Sequence, residues 1–314
     1  HAPQSNATRI ELKEIINVTK HIISPRENKP IITIVQDTLL GIYKLTSSLH
    51  IKYLNNNDKL LYLENTNMIH VKKSNSEESS TITEKYIDES VFNKKQMMNL
   101  ISNLSVFNGI FPDADVIHEV NRKKIKFWSG KNIFSYIIPD YLNLEMDNNN
   151  SEGKDDKLNF IKIVNGSVKQ GTFDKSIFTK TSKGLIHTIY NDYGEEGPNR
   201  TKDFIDDIQK IINYYILNEG FSIGISDMVT NNKIQNKINT IIENQKKQII
   251  SILQDLHFNI LENYTGSSNK DNFEGKVNNI LNKSVNETGE LALKHLPANN
   301  RAVSMILSGS KGKV

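Results

Sequence analysis

Ile234, Ile238, Ile241, Ile249, Ile252, Leu256 and Ile260 recur at mostly three- and four-residue steps, and Gln245 is the one polar residue that interrupts the stripe. A strand cannot use that period, because its side chains alternate every two residues whereas those of a helix return every 3.6. The spacing predicts a helix of roughly thirty residues, about 45 Å long at about 1.5 Å per residue. Thr265-Gly266-Ser267-Ser268 breaks the pattern, and a second stripe begins at Phe273, Val277, Ile280 and Leu281. Two helices joined by a short polar loop run antiparallel. The remaining faces carry Lys, Asn, Gln and Glu, so the hairpin is predicted to be largely solvated, Lys233 and Lys237 included.

The chain before this hairpin changes period repeatedly. Ser5 or Asn6 can cap a short first helix carrying Ile10, Leu12, Ile15 and Ile16, predicted to be half-buried, and Ser24-Pro25 stops it. Ile31-Ile32-Thr33-Ile34-Val35 is almost wholly apolar and β-branched, which predicts a strand covered on both faces and ending at Gln36-Asp37. Residues 47–85 predict a surface insertion, a hairpin followed by a polar loop, and residues 147–157 a polar linker. Ser129 can cap a short helix that runs to Tyr136 before Pro139 ends it. Asn165-Gly166, between Phe160–Val164 and Ser167–Lys169, is a strong two-residue hairpin signal. From Asp203 the period turns helical, with Phe204, Ile208, Ile211, Ile212 and Tyr215 on one face and Gly220 at the stop. Gly220 to Asp227 then reads as a compact turn. The predicted fold class is α+β: a mixed domain over 1–200, then a helical domain over 201–314.

Several chemistries are excluded or unsupported. The 314 residues contain no cysteine, which rules out disulfides and thiolate metal sites. A net charge of +3 is too mild to indicate nucleic-acid binding by itself. No apolar run reaches the length of a membrane span. Arg122 stands where a second His would complete a zincin motif after His118-Glu119. His187 reads as a structural residue with a satisfied ring, and Asp37 and Asp227 as isolated carboxylates. Ser308-Gly309-Ser310-Lys311-Gly312-Lys313 lacks the spacing of a phosphate loop and alone reads as a flexible basic end.

A collinear series of segments adds to this. In order they are His1-Ala2-Pro3-Gln4-Ser5; Ile23-Ser24-Pro25; Asn28-Lys29-Pro30; Ile34-Val35-Gln36-Asp37-Thr38-Leu39-Leu40-Gly41; Trp128-Ser129-Gly130-Lys131; and Gly184-Leu185-Ile186-His187. Asn218-Glu219-Gly220-Phe221-Ser222-Ile223-Gly224-Ile225-Ser226-Asp227 and Ser308-Gly309-Ser310-Lys311-Gly312 complete it. Together they resemble the largest, beta-prime-like, subunit of multi-subunit DNA-directed RNA polymerases, over almost the whole chain. The first pentapeptide is similar to the His-Val-Pro-Gln-Ser that follows the family's Asn-Ala-Asp-Phe-Asp-Gly-Asp metal loop.

The resemblance implies a pore domain in the first half and, in the helical hairpin, the funnel around the channel through which nucleotides reach the active site. It implies that Lys311, matching the lysine of the family's Ser-Lys-Gly, lies near the triphosphate of the incoming nucleotide. It implies DNA-templated RNA synthesis with magnesium ions that this segment alone does not bind, because the catalytic aspartates would precede His1. The bridge helix and trigger loop would follow Val314, and the isolated chain is expected to be inactive. Implied partners are the second-largest and other polymerase subunits, DNA, RNA, nucleoside triphosphates and transcript-cleavage factors, without a membrane. A nuclear location follows, or a virion or cytoplasmic replication site for a virus. The Asn, Ile and Lys bias is that of an AT-rich genome. Gly224-Ile225-Ser226-Asp227 departs from the family's frequent Gly-Ile-Gly-Asp, and Asn286-Glu287-Thr288-Gly289 from a more basic stretch. The competing class is a non-catalytic interaction module using Lys233 and Lys237 on the hairpin.

Overall fold

A computed structural model describes residues 2–50, 86–88, 90–120, 123–147, 160–258, 260, 268–296 and 300–311. Most of the predicted insertion and linker, and the turn between the two hairpin helices, lie outside these residues. The chain divides into two compact units: His1–Phe221 with Leu307–Lys311, and Ser222–Ile306 with Gly312–Val314.

In the first unit, helix α1 spans Asn6–Glu14 and is capped by Ser5, whose hydroxyl accepts the Thr8 N–H at 3.1 Å. None of its residues is buried: Ile10 and Leu12 are exposed, as are Ile15 and Ile16 just beyond its end, which corrects the predicted half-burial. Amphipathic spacing formed the helix, but no described part of this unit covers its apolar face.

The strand predicted over Ile31–Val35 is absent. Ile31 and Ile32 donate to the Ile22 carbonyl at 2.8 and 3.4 Å, and Pro30 makes an isolated bridge with Ile23. Only Ile34 is buried, at 3% exposure, against 63% for Ile31. The β-branched residues do favour extended backbone. No described strand pairs with them, and Val35 instead becomes the extended N-cap of helix α2, Gln36–Thr46. Asp37 therefore sits in that helix's first turn, where the dipole favours an acid.

Ser48–His50 (β1) and Tyr86–Asp88 (β2) pair antiparallel. Val91–Phe92 (β3), Val116–Val120 (β4) and Lys123–Ser129 (β5) form a three-stranded sheet in the order β3-β5-β4. Between β3 and β4 lies helix α3, Lys94–Ile101, held by a capping box of Asn93 and Gln96. Ser129 caps helix α4, Gly130–Ser135, through the Asn132 N–H, as its sequence predicted. Its hydroxyl also donates to Asp115.

A second sheet takes Leu144–Asp147 (β6), Phe160–Val164 (β7) and Ser167–Gln170 (β8) in that order, all antiparallel. Asn165 and Gly166 turn the last pair with φ of 47° and 70°, the left-handed backbone that a type I′ turn requires.

Helices α5 (Lys175–Thr179) and α6 (Leu185–Asp192) lead to the central helix α7, Gly197–Glu219, which has Pro198 in its first turn. The predicted face, Phe204, Ile208, Ile211, Ile212 and Tyr215, is buried in one continuous core with Leu39, Ile42, Leu45, Phe134, Phe173 and Phe178. Gly220, at φ 70°, ends the helix. Asp207 is a carboxylate inside this face. It accepts the Ser105 and Val106 N–H groups at 2.8 and 3.2 Å and pins the segment that follows α3.

The second unit carries the short helix α8, Ile225–Met228, and the predicted hairpin: α9, Asn232–His257, and α10, Asn269–His295. Ile234, Gln245 and Asn272 are buried, while Ile250, Leu253, Leu281 and Val285 remain exposed. The Gln245 amide donates to Glu287 at 3.3 Å, so the polar break in the first stripe meets a partner on the second helix. Helix α11, Arg301–Ser308, follows. No described helix is long and apolar enough to cross a membrane.

Candidate functional site

Lys311 is the one residue that the sequence assigned to ligand chemistry, and its setting is built from two distant parts of the first unit. On one side, Gly309 follows α11 with φ 73°, a left-handed conformation that glycine adopts without strain. The Ser308 hydroxyl, fully buried, donates to the Ser310 hydroxyl at 3.0 Å and accepts the Ser310 N–H at 3.3 Å. This closes a tight local turn, and Lys311 just beyond it is exposed. Gly312 and Lys313 of the predicted basic end lie outside the described residues.

On the other side stands the start of α5. Gly171, at φ 96°, lies so close to strand β7 that a Cβ there would be 2.7 Å from the Ile161 Cα. The next residues pass inward: the Phe173 N–H donates to the Thr46 hydroxyl at 3.0 Å, and the Phe173 ring packs on Phe134 at 4.9 Å between centroids. Asp174 then caps α5, accepting the Ser176 N–H at 3.0 Å and the Ser176 hydroxyl at 2.6 Å. Burial pushes the Asp174 carboxyl above its ordinary range, with the Ser176 hydrogen bonds acting in the opposite direction.

These two parts meet at Gly309. A Cβ on Gly309 would lie 2.8 Å from the Lys175 Cβ and 3.4 Å from its Cδ, so the aliphatic stem of Lys175 runs against the glycine. The lysine is exposed beyond that contact. Asp174 and Lys175 went unrecognised in the sequence. The capping signal was there, an Asp just before Ser176-Ile177-Phe178, but no local pattern links it to a turn so far along the chain.

A second polar cluster sits within the second unit, around Asp227, where the sequence showed no partner for acid/base or metal chemistry. Its carboxylate accepts the Gly224 N–H at 2.9 Å and an Arg301 guanidinium N–H at 3.2 Å. Its carbonyl accepts from the buried Asn300 amide at 2.8 Å, and the Asn300 side-chain oxygen in turn accepts the Ala302 and Val303 N–H groups. The Gly224 N–H first, and then Arg301, hold the Asp227 carboxyl below its ordinary range. Asp227 therefore has a structural role, fastening the Gly224–Asp227 turn to the start of α11.

The other sequence candidates are not assembled into a site. His187 hydrogen-bonds Asn28 at 3.2 Å, as a structural histidine would. Lys233 and Lys237 are exposed on α9. Among the described residues no group of three or more His, Asp or Glu side chains could hold a metal ion.

Two family models match the chain. Residues 21–228 match RNA polymerase Rpb1, domain 3, and residues 252–314 match RNA polymerase Rpb1, domain 4. The first match alone covers well over half of the 314 residues.

Proposed function

The chain belongs to the family of the largest subunit of multi-subunit DNA-directed RNA polymerase, and from that premise we propose that it supplies pore and funnel walls for nucleotides, with Lys311 contacting the incoming triphosphate. As part of an RNA polymerase it serves a nucleotidyltransferase, which extends RNA on a DNA template. The first unit is the pore contribution and the α9–α10 hairpin the funnel contribution.

The observation that carries the Lys311 assignment is its presentation, exposed, two residues beyond a glycine whose backbone is left-handed. A glycine turn lets the main chain approach a phosphate closely, and a compact ammonium suits the contact as a point charge. A hydrogen bond to a charged group contributes about 1.5–3 kcal/mol, so Lys311→Ala in the assembled enzyme raises the nucleotide KM about tenfold or more. Single-nucleotide addition kinetics measure this directly. Wild-type KM and kcat in the variant would refute the assignment.

The family's Asn-Ala-Asp-Phe-Asp-Gly-Asp metal loop does not occur in these 314 residues, which supports reading the isolated chain as inactive. Among the described residues no donor set fits magnesium, and this reading takes the ions of the intact enzyme to be held elsewhere in the assembly. The partners that this reading calls for are the second-largest and other subunits, DNA, RNA and nucleoside triphosphates, with transcript-cleavage factors at the funnel. It places the chain wherever that assembly works, in a nucleus or at a viral replication site.

A further inference from the structure

Lys175 lies outside every motif that pointed to the polymerase family, yet it is the residue on which the Lys311 turn rests. Gly309 is confined by two independent constraints, its φ of 73° and the 2.8 Å that would separate a Cβ from the Lys175 Cβ. The turn and the lysine stem are thus packed against each other, and the ammonium of Lys175 extends from a stem fixed at the base of the turn that presents Lys311.

Neither lysine has a carboxylate partner among the described residues. The carboxylate next to Lys175 in sequence, Asp174, is buried and directed to the Ser176 N–H and hydroxyl. Two cations without a described carboxylate partner, one on the turn and one on the stem packed against it, repel each other, and an anion of several charges that binds both relieves the repulsion.

We propose that Lys175 is a second phosphate-binding residue of the Lys311 site, so that the two ammonium groups flanking the Gly309 turn together take the polyphosphate of a nucleotide. This rests on the reading of Lys311 given above and extends it to a residue of the first sheet-and-helix unit. The stem of Lys175 supports the turn, and its ammonium binds the ligand.

Those two roles separate experimentally, because methionine keeps an unbranched stem of similar length without the charge. The experiment is single-nucleotide addition by the assembled polymerase carrying Lys175→Met, Lys175→Arg or Lys311→Ala, with KM and kcat for a nucleoside triphosphate. Lys175→Met is expected to raise KM about five- to twentyfold with kcat within about twofold, the loss of one charged phosphate contact, and Lys175→Arg to recover most of it. A wild-type KM for Lys175→Met overturns the proposal. If Lys311→Ala still raises KM in that case, the Lys311 reading stands alone, and if neither variant changes KM both readings fall. A raised KM for Lys175→Met with none for Lys311→Ala overturns the shared site. An unchanged KM with weaker, more salt-sensitive retention of the transcript also overturns it, since the anion at Lys175 would then be the RNA backbone.

Discussion

Removing the Asp207 carboxylate should show how much of the first unit's stability depends on one buried acceptor. Asp207 is fully buried on α7, and its two oxygens accept the N–H groups of Ser105 and Val106, residues far away in sequence. Each is a hydrogen bond to a charged group, worth about 1.5–3 kcal/mol net. Ser105 and Val106 are themselves exposed, so water can take over part of the lost bonding and the lower end of that range applies. The ion pair with Lys210, at 3.0 Å, adds little, because the lysine is 40% exposed. Asp207→Ala is therefore expected to destabilise the unit by about 3 kcal/mol, and Asp207→Asn, which keeps one acceptor, by about half as much.

Trp128 is the chain's single tryptophan and lies in the same core, so its fluorescence reports this unit selectively. With a urea m-value of about 2 kcal/mol/M, the midpoint falls by about 1.5 M for the alanine variant. A fall below about 0.3 M, with Ser105 and Val106 amide exchange as slow as in wild type, would refute the reasoning.

The glycines allow a comparison of opposite signs. A Cβ on Gly130 would lie 1.9 Å from the Leu45 carbonyl oxygen, a backbone atom that cannot rotate away. Gly130→Ala should cost about 3 kcal/mol or more in the same fluorescence assay. Gly275, inside α10 with open space around it, should instead stabilise the hairpin on substitution to Ala by about 0.5–1 kcal/mol, read by the thermal loss of helical circular dichroism. Asp227 predicts a pH dependence. Its folded pKa is depressed, so the stability it contributes is present above the ordinary carboxylate range and is lost as pH falls through the depressed value. Amide exchange at Gly224 should therefore be pH-normalised and flat from pH 7 to 5 and should accelerate only below the ordinary carboxylate range. Acceleration already near pH 6 would refute the pairing with Arg301.

Much of the architecture was legible because it is written in local periods. The long helices, the Asn165-Gly166 turn, the Ser129 cap and the buried face of α7 each depend on residues within a few positions of one another. The same local reasoning failed at Ile31–Val35 and at α1. There, composition set the backbone preference, but pairing and burial required partners from elsewhere in the molecule. Asp227 shows the same limit, since its partner Arg301 lies across the hairpin in sequence.

The sequence by itself therefore determined the α+β class, the helical hairpin and, through the order of its segments, the polymerase family. Only the tertiary structure decided that Lys175 lies against Gly309, that Asp207 holds Ser105 and Val106, and that the apolar residues of α1 remain uncovered in this unit. Hydrogen-bond ladders and amphipathic periods act between near neighbours and leave a signature in spacing. Contacts between distant segments depend on how the whole core closes, and a single sequence carries no spacing that records them.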